Sequence, residues 1–266
     1  MATEIRHRDG RVLHRSEHDQ LRHAVMDAVE AEVDLSGAML DEADLGGTNL
    51  EDAQLRGASL KRARLSRSNL ERADLSEADL TGATLDSSNL EEVDLTRAVL
   101  VDASARGANL EESTLAEADL TRARIDGANL ERADLHGVKL DGARLERCNL
   151  EKSSLVAAVG VACTMARSNL ERCDMREARL PQLVLAGCNV ERSDLRGADL
   201  SKSDLSGANL ERCDLRRANL RDADLCEANL ERCDVDETHL DGARLDSANV
   251  DGLRGTPASG MPHPYR

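Results

Sequence analysis

The sequence predicts an all-β solenoid of square coils, and three observations predict it. Leu or a substitute falls at every residue number ending in 0 or 5 from Leu35 to Val250, forty-four consecutive pentapeptides without an insertion. Asn-Leu-Glu recurs every twentieth residue, from Asn49-Leu50-Glu51 to Asn229-Leu230-Glu231, with Val190 replacing Leu once. The chain has no Phe, no Trp and a single Tyr, Tyr265. A period of five matches neither the 3.6 of a helix nor the 2 of a strand. It describes a chain that turns a corner every five residues and closes a circuit after twenty. Aromatic side chains usually fill irregular interior space, so a core without them must be regular enough for Leu and Ala.

The elements follow in order. Glu4-Ile5-Arg6-His7, then Asp9-Gly10, then Arg11-Val12-Leu13 reads as a β-hairpin with a tight turn. Ser16 is placed to cap a helix. Leu21, Ala24, Val25, Ala28 and Val29 form one apolar helix face, expected to plug the first coil. Residues 1–32 are thus the cap and 33–252 the solenoid. Within it the central residue of each pentapeptide (Leu70, Leu75 and Leu80, for example) and the small residue two places earlier (Ser68, Ala73, Ala78) point inward. Exceptions at the centre are Ala105, Ile125, Gly160, Met165, Met175, Val190, Val235 and Val250. Leu183 is the one large residue at a small site. Eleven coils at the strand spacing span roughly 50 Å, comparable to about 15 base pairs of DNA. Residues 253–266, rich in Pro and Gly, read as a disordered tail. Open coil ends invite pairing, so the last coil is expected to be covered by a second copy of the chain, by the tail or by a partner.

The net charge is −16, which repels nucleic acid and anionic membranes and favours basic partners. Sorted by side of the square, the sides centred on Leu35, Leu55, Leu75 and on Leu50, Leu70, Leu90 each carry −7. The side centred on Leu40 carries −2 and that centred on Leu45 carries 0. The two acidic sides adjoin around the square. Acidity is purest at Glu51, Asp52, Glu91, Glu92, Glu111 and Glu112, whereas Glu-Arg pairs such as Glu171-Arg172 dilute it later. Such a surface reads either as a mimic of a DNA backbone or as a solvated face that prevents stacking into fibres.

No HExxH, GxSxG or phosphate loop occurs, and a loopless coil offers no pocket that excludes water. The reading is therefore non-enzymatic, with no cofactor and no metal. Seven Cys in a chain without a secretory signal fit reduced thiols and a cytoplasmic location. Most occupy small inward sites, where Cys serves as a small hydrophobe. Cys226, at an outward site, is expected to be the reactive one. Residues 155–185 break the pattern. Gly160 takes a central site, and Val156, Val159, Val161, Pro181 and Val184 take outward ones. This reads equally as an apolar contact patch or as a repair in which Leu183 and Met165 fill a void left by Gly160.

Tandem A(D/N)LxX units of this kind resemble the pentapeptide repeat family, over roughly residues 33 to 252. The resemblance implies a right-handed quadrilateral parallel β-helix. It also implies that the chain is an acidic DNA mimic that binds DNA gyrase, a type II topoisomerase, and protects it from inhibitors. Family members of that kind dimerise through a C-terminal helix, and several carry projecting loops. This sequence shows neither, which leaves a structural adaptor as the alternative.

Overall fold

The computed structural model describes residues 2–260, arranged as two compact units, Met1–Asp134 and Leu135–Arg266. Both are built on one local plan, set by where five main-chain N–H groups find acceptors. In the first unit, Leu70 N–H donates forward to Asn89 O (2.7 Å) and Arg72 N–H to Glu91 O (2.9 Å). Asp74 N–H donates back to Ala53 O (3.0 Å), and Ala73 N–H closes a turn on Leu70 O (3.0 Å). The fifth, Glu71 N–H, is taken by the Asn69 side-chain oxygen (3.3 Å). Every donor of the pentapeptide is thereby satisfied, as a buried backbone requires. The second unit repeats the plan: Leu195 donates to Asp214 O (2.8 Å), Asp199 to Ala178 O (2.8 Å) and Ala198 to Leu195 O (3.0 Å). There the Asp194 carboxylate accepts from Arg196 N–H (3.1 Å). Parallel bridges join residues twenty apart throughout each unit, such as Asn69 to Asn89 and Asp194 to Asp214.

The Asn or Asp before each central Leu is thus an Asx-turn acceptor. At four positions where it is missing, another arrangement compensates. Ser59, Ser104 and Val159 stand at that position, and an Asp from the preceding circuit serves instead. Asp41 accepts from Lys61 N–H (3.1 Å), Asp86 from Arg106 (2.9 Å) and Asp141 from Val161 (2.9 Å). Arg179 also lacks an acceptor, and there the donor itself is removed, because the next turn begins with Pro181. Proline's fixed φ suits that turn position.

The turn's next residue, at numbers ending in 2 or 7, takes positive φ. Examples are Arg67 at 62°, Glu92 at 54°, Arg172 at 58° and Arg217 at 61°. With the hydrogen bond from the fourth residue back to the first, this is a type II turn. Most such sites hold Arg, Glu, Asp, Lys or Ser rather than Gly, and none from 32 to 252 holds Val, Ile or Thr. β-Branched side chains are the ones that left-handed backbone excludes most strongly.

The core is the central residue plus the small residue two before it. Leu70, Leu75, Leu80, Ala73 and Ala78 are all fully buried. Inward hydroxyls return hydrogen bonds to the leucine carbonyls, as Ser68 does to Leu65 O and Thr48 to Leu45 O (2.6 Å). A Cβ at Gly160 would lie 2.7 Å from the Leu140 carbonyl carbon, so the main chain of the neighbouring circuit stands close against it. Leu183 and Met165 are fully buried.

The first unit begins with β1 (Thr3–Arg6) and β2 (Val12–Ser16), an antiparallel hairpin with a bulge after Ile5, followed by α1 (Leu21–Glu30). Ala24, Val25 and Ala28 are buried, and the leucines of the first circuit, Leu35 to Leu50, are fully covered. Ser16 does not cap α1. It ends β2, where its hydroxyl donates to the Asp27 carboxylate and accepts from His18 N–H, and Gln20 occupies the N-cap. The strand continues three residues further than the sequence pattern indicated, past Leu13, and takes Ser16 with it.

In the second unit, residues 253–260 are not a disordered tail. Arg254 and Ser259 keep the register, bridging Asp234 and His239, and Ala258 N–H donates to Thr238 O (2.9 Å). Gly260 permits this close approach, since a Cβ there would fall 2.2 Å from Leu240. The rest of the expected tail, 261–266, lies outside the described residues.

The turn geometry makes a prediction. Arg67→Val should lower stability by about 1–2 kcal/mol, the cost of left-handed backbone for a side chain that resists it. Ser66→Val, one residue earlier in the same turn, should cost little. Urea unfolding midpoints of the two variants check this, and equal midpoints would refute it.

Candidate interaction surfaces

The Asn-Leu-Glu signature builds one surface of the first unit. Asn69 Nδ2 donates to Asn49 Oδ1 (2.9 Å), Asn89 to Asn69 (3.0 Å), Asn109 to Asn89 (3.2 Å) and Asn129 to Asn109 (3.2 Å). Each amide also reaches the Glu of the circuit before it: Asn109 to Glu91 (3.0 Å) and Asn129 to Glu111 (3.1 Å). The column therefore binds its own glutamates, a role that the twenty-residue spacing signalled but did not explain. Glu51, Glu91 and Glu111 have this structural duty as well as their charge.

The six expected acidic residues lie together here in two columns. Glu51 and Asp52 share Arg72, at 2.5 and 2.9 Å, and Glu112 pairs with Arg132 at 2.7 Å. Glu92 makes no ion pair among the described residues, and Glu92 and Glu112 are both exposed. The Asn-Leu-Glu pentapeptides carry −6 in this unit but only −1 in the second. There the glutamates face a column of cations, with Lys152 to Glu151 at 2.7 Å, Arg192 to Glu191 at 3.3 Å and Arg212 to Glu211 at 3.5 Å. The acidity is thus concentrated in the first unit instead of running along the whole repeat.

A second column in the second unit alternates sign. Arg176, Arg196 and Arg216 each hold the Asp two residues before them at 2.5 Å. Each also reaches the Asp of the next circuit, at 3.7, 3.6 and 3.9 Å. The Arg216 guanidinium holds the Asp214 carboxyl below its ordinary value.

The five apolar outward residues do not form one patch. Val159 and Val161 flank Gly160 and are 38% and 47% exposed, and Pro181 stacks in register beside Val161. Val184 belongs to the next side, paired with Thr164 and Asp204. Val156 lies at another corner, in a surface groove with Arg176, Arg196 and Arg216. Val159 itself stands between Lys139 and Arg179. The contact surface is three residues wide, because a five-residue period sends neighbouring outward sites around corners.

The inward thiols donate to main-chain carbonyls, as Cys173 does to Leu150 O and Cys213 to Val190 O, both at 2.9 Å. Burial pushes the Cys173 thiol up to about 12. Cys226 is not activated. It is half-buried beside Asp224 and Asp246, and its hydrogen bond to the Asp224 carboxylate pushes the thiol's pKa up. No helix among the described residues is long and apolar enough to cross a membrane.

Circuits of twenty residues, type II turns and Asx-capped pentapeptides define a pentapeptide-repeat β-helix. The chain belongs to that family. The family description "pentapeptide repeats (8 copies)" matches residues 31–67, 73–112, 94–132, 113–151 and 128–158, and "pentapeptide repeat region" matches 163–240. Among solved structures, QnrB1, a plasmid-mediated fluoroquinolone resistance protein, is 21% identical. It aligns over 71% of this chain and 93% of its own, with a TM-score of 0.58. HetL, involved in heterocyst differentiation regulation in Nostoc sp. strain PCC 7120, is 29% identical over 92% of this chain and 100% of its own, with a TM-score of 0.44. Rfr23 from the cyanobacterium Cyanothece 51142 is 23% identical over 46% and 91%, with a TM-score of 0.26. No curated protein matches the chain.

Two predictions follow from the side chains. Asp214 has a depressed folded pKa, so its pair stabilises fully above the ordinary value of about 3.9 and is lost as pH falls through the lower folded value. Asp214→Asn should therefore flatten the acid limb of stability against pH and leave its shape near neutrality unchanged, as urea midpoints would show. Thiol labelling of the native protein at mildly alkaline pH should modify Cys226 alone, and more slowly than a free cysteine. The six buried thiols should react only after unfolding, and labelling of any of them in the native state would contradict their placement.

Proposed function

We propose that this chain is a non-enzymatic binding protein and that its first unit acts as an acidic DNA mimic toward a type II topoisomerase, DNA gyrase. The repeat is taken as a right-handed quadrilateral β-helix of about eleven coils, bounded by a cap at 1–32 and working in the cytoplasm. The observation that carries the reading is the segregation of charge. Glu91, Glu92, Glu111 and Glu112 form a two-by-two block, one circuit apart, with Arg132 as its one ion-pair partner among the described residues. Repeated carboxylates on a rigid scaffold offer a DNA-binding surface a substitute for phosphates, and the attraction should weaken with salt. Family resemblance supplies the choice of gyrase, and QnrB1's role in fluoroquinolone resistance agrees with it.

The second reading, a structural adaptor, rests on Val159, Val161 and Pro181, an apolar spot that holds the exposed large hydrophobic residues of the second unit. It leaves the acidic block as a solvated face, and a second copy of the chain could then cover the C-terminal end.

DNA supercoiling by purified gyrase, with the protein titrated in at low and moderate salt and with and without a fluoroquinolone, separates the two. The mimic should inhibit or protect in a salt-sensitive way. Replacing Glu91, Glu92, Glu111 and Glu112 by Gln should weaken that effect at least tenfold, about 1.4 kcal/mol, while keeping the acceptors of the Asn column. No effect at micromolar protein would discard gyrase and leave the adaptor.

A further inference from the structure

The first circuit has an edge facing the cap, and hydrogen bonds from the cap reach three of its four sides. Arg8 N–H donates to Gly37 O (3.0 Å), Met39 N–H to Arg6 O (2.8 Å) and the Arg22 guanidinium to Gly46 O (2.8 Å). The fourth side, residues 48–52, receives no such bond among the described residues. In later circuits the Asn main-chain N–H donates backward, as Asn69 does to Thr48 O (2.9 Å). Its carbonyl accepts from the preceding Leu, and its amide reaches the preceding Asn and Glu. Asn49 has none of these backward partners, and it is exposed where Asn89, Asn109 and Asn129 are half-buried.

Beside this open rung lies a crease of about 450 Å³ lined by Met26, Val29 and Glu30 of α1 and by Asn49, Glu51 and Asp52. Met26 is 36% exposed. Glu30, Glu51 and Asp52 make its rim acidic, and Arg72 is already shared by Glu51, Asp52 and Glu71. The crease thus combines an open main-chain donor and acceptor, an apolar wall and a net negative rim, with one Arg shared among three carboxylates.

We propose that this crease docks an extended basic segment of a partner protein, which adds one rung against Asn49. Such strand addition takes its affinity from main-chain hydrogen bonds and its selectivity from side-chain pockets. The rung would carry an apolar side chain onto Met26 and Val29 and a Lys or Arg between Glu30 and the Glu51–Asp52 pair. Acidic segments and nucleic acid are repelled by the same rim. The site is separate from the acidic block around Glu91 and does not depend on it.

The test is a random dodecapeptide library displayed on phage and selected on the full-length protein, with the best peptides resynthesised and measured by fluorescence anisotropy. Enriched peptides should combine Lys or Arg with apolar residues and lack Asp and Glu. Glu30→Lys and Met26→Gln, both surface changes, should each weaken binding roughly tenfold, as expected for a central contact. Bound peptide should slow hydrogen exchange at the Asn49 amide. Failure to enrich such peptides, binding indifferent to both variants, or unchanged Asn49 exchange would each overturn the proposal.

Discussion

Main-chain hydrogen bonds between residues twenty apart constrain everything else in both units. They place each side chain beside its counterpart in the next circuit, at about the 4.8 Å spacing of paired strands. A residue that repeats at one position therefore stacks on itself, and only some chemistries tolerate that. An amide does, because it both donates and accepts, and the Asn column from Asn49 to Asn129 closes on itself. A carboxylate stacks only against the repulsion of like charges at that distance, as Asp74 does on Asp94. Asp174, Asp194 and Asp214 accordingly come with Arg176, Arg196 and Arg216, each guanidinium set between two carboxylates. The Asx turn needs an oxygen acceptor at this position, which Asn and Asp both provide. In the second unit, stacked Asp side chains come with an Arg between them.

The five-residue period made the core legible before any coordinates, because it is written in side-chain size. Leu70, Leu75 and Leu80 alternate with Ser68, Ala73 and Ala78, and no other arrangement buries both sets. The hairpin and the apolar face of α1 were legible for the same reason. The left-handed turn residue was not, since Arg67 or Glu92 announces nothing about φ. Its trace is negative, the lack of Val, Ile and Thr at numbers ending in 2 or 7. Composition misled at 253–260, where Pro257 and two glycines suggested disorder. In register, Arg254 and Ser259 still pair, and Gly260 fits where a side chain would collide. At Gly160 the sequence said nothing of the close approach of the Leu140 main chain, which a side chain would meet.

The candidate surfaces were half legible. The acidic residues could be named from the sequence, but their neutralisation could not. Whether Glu51 is free or shared with Arg72 depends on diagonal contacts between circuits. The five valine and proline sites were grouped by proximity in sequence, whereas corners separate Val156 and Val184 from Val159 and Val161.

These constraints narrow where recognition can be written. Two positions of each five are interior and a third supplies the turn acceptor, so the turn residues remain. Of those, the second excludes β-branched side chains. Information for a partner then resides in departures from a column's rule, because a regular column is already satisfied by itself. Glu92 and Glu112 stand where the rule of the second unit would put a cation. Val161 replaces a polar residue, and Asn49 begins a column with no rung before it. Each departure leaves a charge, an apolar surface or a hydrogen-bonding group unanswered within the chain, and each calls for a different partner chemistry. A cationic surface would answer the glutamates, an apolar side chain the valine, and an extended strand the asparagine.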